Sequence, residues 1–179
     1  MKMRKSIALA AAALLPMVGQ AEVKLATPAA LLIEHRFTIS APPQAAWDVL
    51  VHPERYWPKD HTWSGDATHL GLVAEAGGCF CERWAEGSAE HGRVVMALPG
   101  RLLRIRGALG PFQEMAVTGV LTVRLTPRDG GTEAVVSYRL SGDDTHQLDK
   151  MAAGVDPVIA QQFGGFARLA SAPRDAGTH

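Results

Sequence analysis

The stretch of residues 31–51 constrains the fold of this chain most strongly. It contains a loosely alternating apolar run, two successive prolines and an amphipathic run, in that order. Alternation over residues 31–40 predicts a strand, and Pro42 with Pro43 ends it. Because proline is tolerated at the start of a helix, residues 43–52 are predicted to form a short helix. The folded part of the chain therefore opens with a strand followed directly by a helix.

A second helical pattern lies near the end of the chain, over residues 144–170. Apolar residues recur there at spacings of three and four, which predicts a long amphipathic helix that begins at an acidic residue and is kinked at Pro157. Six strand-like runs separated by Gly and Pro turns lie between the two helices. They cover residues 66–76, 79–85, 89–98, 102–108, 115–126 and 132–140.

This order of elements predicts an α+β helix-grip fold. In such a fold a curved antiparallel sheet wraps around a long C-terminal helix, with a cavity between them. The chain of 179 residues is long enough for one such domain, which we place at residues 31–170. The architecture suggests a receptacle for a small molecule.

The opening strand followed by APPQAAWDVLVHPERYWPKD resembles the START-like, Bet v 1-like superfamily (SRPBCC), which includes polyketide cyclases. The Gly-Gly before CFCERW and the closing helix fit the same pattern. The segment EHGRVVMALPGRLLRIRGALGPFQ is similar to the bacterial branch related to Hsp90-activator homologues. The resemblance implies the helix-grip fold and no particular reaction, because the superfamily contains carriers, cyclases, hydroxylase domains and chaperone regulators.

The N-terminus has the pattern of a secretory signal. Lys2, Arg4 and Lys5 precede a short apolar run, and small residues stand three and one positions before a predicted cleavage after Ala21. The apolar run is too short to span a bilayer comfortably, so we expect no stable membrane insertion after cleavage, although an uncleaved anchor is the alternative. Residues 1–21 are thus interpreted as a signal peptide, residues 22–30 as a mobile leader and residues 171–179 as a disordered tail. We expect a periplasmic or secreted protein.

Composition limits the possible partners. The chain is 47% hydrophobic and 20% charged, as in ordinary globular proteins, and its formal net charge is zero. No block of Lys and Arg indicates a nucleic-acid surface, and no phosphate-binding glycine loop is present, so we predict neither nucleic acid nor a cofactor. The sequence leaves the oligomeric state open.

The two cysteines, Cys79 and Cys81, fall in one predicted strand. Residues two apart in a strand have Cα atoms roughly 6.5–7 Å apart, at the upper limit for an unstrained disulfide. We therefore expect structural thiols. A strained or redox-active pair and a soft-metal site are the alternatives, but no third ligand is evident nearby and we predict no metal.

No complete catalytic motif is present, and three titratable residues are weak catalytic candidates. An inward-facing Glu82 would need a polar partner and could then act as an acid or base. His61 lies in a loop flanked by tryptophans, where a cavity could open. His91 follows Glu90, and because successive strand residues face opposite sides, one of these two points inward. An imidazole in a cavity suits proton transfer near neutral pH.

The candidate ligand-binding residues are the large apolar side chains expected on the inner face of the sheet and on the helices. Leu103 and Ile105 alternate with Arg104 and Arg106, so we assign the apolar pair to the interior. The full set is Trp47, Trp84, Met96, Leu103, Ile105, Leu121, Val136, Phe163 and Phe166.

Together these features favour an exported binding protein for a small hydrophobic molecule. The first alternative is an enzyme of the cyclase/dehydratase or isomerase type that uses an inward-facing Glu or His. The second is a protein-interaction module, by analogy with the chaperone activators. The sequence favours binding over catalysis and leaves the identity of the ligand open.

Overall fold

The computed structural model describes residues 20–173, with side chains from residue 22 onward. The predicted signal peptide and most of the predicted C-terminal tail therefore lie outside the described residues. Within residues 20–173, no helix combines the length and apolar character needed to cross a membrane.

The described residues form one antiparallel sheet of eight strands and two α-helices. The sheet order is β1-β2-β8-β7-β6-β5-β4-β3, so the first two strands are joined to the last two. The strands are β1 Gln20–Thr27, β2 Ala30–Ile39, β3 Leu70–Leu72, β4 Cys79–Trp84, β5 Gly87–Leu98, β6 Leu102–Arg106, β7 Thr118–Arg128 and β8 Gly131–Ser141. Helix α1 is Pro43–Leu50 and helix α2 is Leu148–Ser171. The α+β helix-grip prediction is confirmed.

The β7–β8 hairpin shows how the sequence builds the centre of the sheet. Gly130 has a φ of +78°, the positive angle that the tight turn between the two strands requires. Beyond the turn, period-two alternation buries one face of β8. Its buried side chains are Thr132, Ala134, Val136, Tyr138 and Leu140.

Helix α2 packs an apolar face against the sheet and against the segment that follows α1. Ile159, Phe163 and Phe166 are buried along it. Gly165 is required for this packing, because a Cβ there would lie only 2.6 Å from the carbonyl oxygen of Tyr56. Pro157 lies inside the helix, as predicted. The helix begins later than predicted, since Gln147 has a left-handed φ of +50° that separates α2 from a single 3-10 turn at Asp144–His146.

Two segments differ from the sequence-based expectation. Residues 22–30, predicted to be a mobile leader, include most of β1, which pairs antiparallel with β2. Val23 and Leu25 alternate with Glu22 and Lys24, but the run is short and the side chains of residues 22–28 are exposed, so β1 is held to β2 by the backbone ladder and not by a buried apolar face. The strand expected over residues 66–76 is only the short β3, preceded by a 3-10 turn at Ala67–His69 that Asp66 caps by accepting from the Thr68 N–H.

The prediction of free thiols is wrong, because Cys79 and Cys81 form a disulfide. Their Cα atoms are 5.4 Å apart, inside the range that a disulfide spans. The prediction assumed a regular strand, but the pairing of β4 with β5 is irregular between Phe80 and Cys81. The local departure from a regular strand brings the two cysteines within reach of each other.

Candidate functional site

A cavity of about 520 Å³ lies between α2 and the loops at one end of the sheet. Three chain segments form most of its wall: residues 57–63, residues 109–112 and residues 150–162 of α2. The lining residues are Trp57, Asp60, His61, Thr62, Trp63, His91, Leu109, Gly110, Pro111, Phe112, Tyr138, Lys150, Met151, Gly154, Val155, Val158, Ile159 and Gln162. Most of these side chains are apolar, and the polar ones lie in residues 57–63, on α2 and at the strand residues His91 and Tyr138, whereas residues 109–112 contribute none.

His91 reaches this cavity because β5 contains a bulge. Phe80 pairs with Gly92 and Cys81 pairs with Glu90, so His91 is an extra residue with no partner on β4. The side chain of His91 is buried, whereas that of Glu90 is exposed. The bulge therefore settles which of the two neighbouring residues points inward.

Glu82 lies behind His91 and is completely buried. Its carboxylate accepts hydrogen bonds from the Trp63 N–H at 3.0 Å and the Ser64 N–H at 2.6 Å, and Oε2 lies 3.1 Å from His91 Nε2. Burial alone would raise the pKa of Glu82, but the hydrogen bonds from Ser64, Trp63 and His91 outweigh it and hold the pKa below its usual value. Glu82 is thus an ionised carboxylate that joins His91 to the loop of residues 57–63.

The imidazole of His91 is neutral near pH 7, because burial lowers its pKa more than the Glu82 carboxylate raises it. An ionised carboxylate can only accept hydrogen bonds, so the proton of the neutral ring is on Nε2. Nδ1 then carries a lone pair and has no hydrogen-bond partner among the described residues. This arrangement makes His91 an oriented hydrogen-bond acceptor, or base, at the cavity wall.

Other polar groups on the wall differ in whether they are already paired. Gln162 is only 4% exposed, and its Oε1 has no partner among the residues described. The buried Nδ1 of His61 is likewise unpaired within residues 20–173. By contrast, the Tyr138 hydroxyl accepts from the Leu109 N–H at 2.8 Å, and burial raises the pKa of Tyr138. Lys150 Nζ donates to Gln147 Oε1 at 2.7 Å. Gln162, His61 and His91 therefore each have an atom available to a polar part of a ligand.

The structure brings together the three catalytic candidates named from the sequence. His61 and His91 line the cavity, and Glu82 contacts His91. Sequence reasoning missed Gln162. The available signal was a polar residue within the apolar stripe of α2, where an unpaired side chain would be unfavourable. Tyr138 and the loop at residues 109–112 were also missed, because their contribution depends on where the loop packs.

None of the predicted ligand-binding residues lies on the wall of the large cavity. Leu103, Ile105, Leu121 and Phe163 line a second cavity of only about 20 Å³. Trp47, Val136 and Phe166 are buried in the core, and Trp84 is half-buried. Burial of Leu103 and Ile105 confirms the assigned strand face, while their contact with a ligand stays a prediction.

Met96 differs from the others, because the prediction that it faces inward is wrong. It is 41% exposed. A register shift between Val94 and Met96 makes Val95 an extra residue in β5, so the alternation of inward and outward side chains is broken there.

A cluster of possible metal ligands lies outside the cavity. The sulfur atoms of Cys79 and Cys81 and a carboxylate oxygen of Glu90 are all within 4.8 Å of one another. Glu90 is a third potential ligand that the sequence did not reveal. With the two sulfurs joined in a disulfide, neither is the thiolate that a soft metal requires.

No protein-family model matches the chain, and no curated protein matches it. Solved structures do match. CalU16 from Micromonospora echinospora is 15% identical with a TM-score of 0.58, and the match covers 89% of each chain. Protein MLL2253 from Mesorhizobium loti is 21% identical with a TM-score of 0.55, over 77% of this chain and 95% of that one. The di-domain ARO/CYC StfQ from the steffimycin biosynthetic pathway is 16% identical with a TM-score of 0.53, over 80% of this chain and 50% of StfQ.

These similarities define the class of protein by its fold. The chain is a helix-grip protein, and it shares this fold with the solved structures that it matches. Sequence identity at this level carries the fold and not the activity.

Proposed function

We propose that this protein binds a small, mainly hydrophobic molecule in the 520 Å³ cavity between α2 and the loops. The cavity itself is the observation that carries the proposal. Its volume falls in the range of small-molecule sites, and its wall combines many apolar side chains with a few polar ones, which is typical of such sites. Burial of the ligand's apolar surface supplies the driving force, at roughly 25 cal/mol per Å².

The unpaired polar atoms suggest which polar group the ligand carries. His91 Nδ1 accepts a hydrogen bond, and the Gln162 amide can accept or donate one. A buried group that gains its first partner on binding contributes to affinity, since it is unfavourable while unpaired. The best-fitting ligand is therefore an apolar molecule with a hydroxyl, enol or N–H group.

We further propose that binding occurs outside the cytoplasm, in a periplasm or after secretion. The basic and apolar pattern of residues 1–21 supports this proposal. The Cys79–Cys81 disulfide is compatible with it, because disulfides persist in oxidising compartments.

Proton transfer is the second candidate function, and the Glu82–His91 pair favours it specifically. A neutral histidine oriented by a buried carboxylate is an arrangement suited to a general base. In an isomerase- or cyclase-type reaction, His91 Nδ1 would take a proton from a carbon or hydroxyl of the bound molecule, and Glu82 would stabilise the resulting imidazolium. The ARO/CYC designation of StfQ supports this candidate only at the level of a shared fold.

Native mass spectrometry tests the binding proposal. The protein is isolated from the exported fraction of its own cells and measured before and after denaturation. We expect a small-molecule adduct that denaturation removes. Saturable binding of an apolar fluorescent probe is measured in parallel.

The two variants are Ile159→Trp, which fills the cavity, and Lys59→Ala, at an exposed residue that does not line it. Ile159→Trp should abolish the adduct and probe binding, while Lys59→Ala should retain both. Circular dichroism checks that each variant is folded. An apo mass together with probe binding that Ile159→Trp leaves unchanged would contradict the proposal.

A further inference from the structure

The disulfide and the bulge that carries His91 lie opposite each other on neighbouring strands. We propose that the Cys79–Cys81 disulfide is a positioning element that holds His91 and Glu82 at the cavity wall, so that reduction of the disulfide changes the site. The effect on ligand affinity rests on the proposed binding function, whereas the effect on His91 does not.

The geometry of β4 is the first observation behind this inference. Regular strand residues two apart have Cα atoms roughly 6.5–7 Å apart, but Cys79 and Cys81 are 5.4 Å apart. The disulfide therefore holds β4 in a contracted form at Phe80. Directly across the ladder, β5 fits one extra residue, His91, between the partners of Phe80 and Cys81. The disulfide therefore constrains β4 directly opposite the point where the bulge disrupts the ladder between the two strands.

The contacts of β4 provide a direct route from the disulfide to the site. Phe80 lies between the two cysteines, and its ring centroid is 5.0 Å from that of His91 and 5.4 Å from that of Trp57. Glu82 follows Cys81 immediately and contacts His91 as well as the backbone of Trp63. A change in the backbone at Cys81 is thus passed through one peptide unit to the carboxylate that orients His91.

The other side of the bulge has little room to adjust. A Cβ at Gly92 would lie 2.7 Å from the Ile105 side chain and 2.8 Å from the Arg106 carbonyl oxygen, so β5 is pressed tightly against β6 there. Any adjustment around His91 is therefore taken up on the β4 side, where the disulfide is. Because β5 cannot move towards β6, the position of the His91 ring depends on whether the disulfide in β4 is oxidised or reduced.

Reduction is chemically feasible because Cys79 is partly exposed, whereas Cys81 is buried. A thiolate of an external dithiol attacks Cys79 Sγ, the S–S bond breaks, and Cys81 leaves as a thiolate that takes up a proton. The second thiol of the reductant then displaces Cys79, which also ends as a thiol. The reductant becomes a disulfide, and the protein gains two electrons and two protons.

The test follows the imidazole signals of the folded protein by NMR through a pH titration. The oxidised protein, the dithiothreitol-treated protein and the Cys79→Ser/Cys81→Ser variant are compared. With the bridge broken, we expect the His91 pKa to rise towards the usual histidine value, because a looser β4 admits water to the ring. The ring signals of His35, buried between β2 and α2, are the internal control and should keep the chemical shifts that they have in the oxidised protein.

The same samples are used to measure binding of the apolar fluorescent probe. Reduction should misalign the hydrogen bond between the bound molecule and His91, so we expect the affinity for the probe to fall by about tenfold. Dithiothreitol should have no further effect on the Cys79→Ser/Cys81→Ser variant. Identical His91 titrations in the oxidised and reduced proteins would overturn the positioning role, whatever the probe shows. Changes at both histidines would also overturn it, since they would indicate global loosening. A change at His91 alone, with no probe binding in either state, would support the positioning role and contradict the binding proposal.

Discussion

Two buried histidines, each beside a carboxylate, have different surroundings. His91 is next to Glu82 at the cavity, and His35 Nε2 lies 2.9 Å from Asp156 Oδ1 where β2 meets α2. Glu82 is fully buried and held by two backbone N–H groups, whereas the Asp156 side chain is 27% exposed. The His35 and Asp156 atoms are within ion-pair distance, but their alignment does not satisfy a hydrogen bond. Both histidines are buried, so the two pairs differ in how firmly the carboxylate is held and not in the burial of the histidine.

Their locations differ as well. The His35 ring stacks on Phe37 at a centroid distance of 6.0 Å, within the sheet, and does not line the large cavity. The His91 ring lines that cavity and has a free Nδ1 in the described part of the chain. Of the two, only His91 therefore combines a fixed orientation with access to a ligand.

Removing the anchored carboxylate should have the largest effect. Glu82→Ala leaves the Trp63 and Ser64 N–H groups and His91 Nε2 without their acceptor. We expect a loss of about 3–5 kcal/mol in the free energy of unfolding, as is usual when one partner of a buried pair is removed. The measurement is urea unfolding followed by circular dichroism. The matched change, Asp156→Ala, should lower the free energy of unfolding by about 1 kcal/mol or less. The Asp156 side chain is partly exposed, and an ion pair close to water contributes little to stability. Equal losses would contradict the comparison.

The second largest effect should be a loss of folding stability at low pH, caused by the His91–Glu82 pair. The folded-state pKa of His91 is lowered, so the unfolded chain takes up its proton first, and stability falls as the pH drops below about 6.5. The pKa of Glu82 is also lowered, so its contribution is present above about pH 4.3 and is lost as the pH falls towards the folded-state pKa. Both effects have the same sign.

The pH dependence is measured as the free energy of unfolding from pH 8 to pH 4. His91→Asn removes one titrating group and should flatten the upper part of the curve, even though its stability at pH 8 is lower. Parallel curves for the two proteins would show that His91 does not contribute in this range.

The smallest effect should come from the side chain of Trp63. Glu82 is anchored by the backbone N–H of this residue, and the indole is 51% exposed. Trp63→Ala should therefore change the free energy of unfolding by no more than about 0.5 kcal/mol, while probe binding weakens because the indole lines the cavity. A large loss of stability would mean that the indole, and not the backbone, positions the anchor.

The sequence was sufficient to predict those elements in which apolar residues recur at one regular spacing throughout. The alternation in β2, β7 and β8 and the apolar stripe of α2 were sufficient to identify the helix-grip fold. The need of Glu82 for a polar partner also followed from its residue type and strand position. These features depend on side chains whose burial is set by regular geometry.

The remaining features depend on departures from that geometry. One extra residue at His91 and another at Val95 reverse the faces of β5, and no local composition marks either bulge. The disulfide spans a Cα–Cα distance of 5.4 Å that two residues of a regular strand would not have. Gln162 and the loop of residues 109–112 form the cavity wall only through tertiary packing, which a periodic pattern does not encode.

The distribution of the cavity wall over the chain has an evolutionary consequence. Among the lining residues that the structure describes, His91 and Tyr138 are the two that belong to strands, and the others come from α2 and two loops. Loop residues tolerate substitution and insertion better than strand residues do. Descendants of such a chain could therefore acquire new ligands by altering the loops while the ladder of the sheet, and with it the ability to fold, is inherited intact.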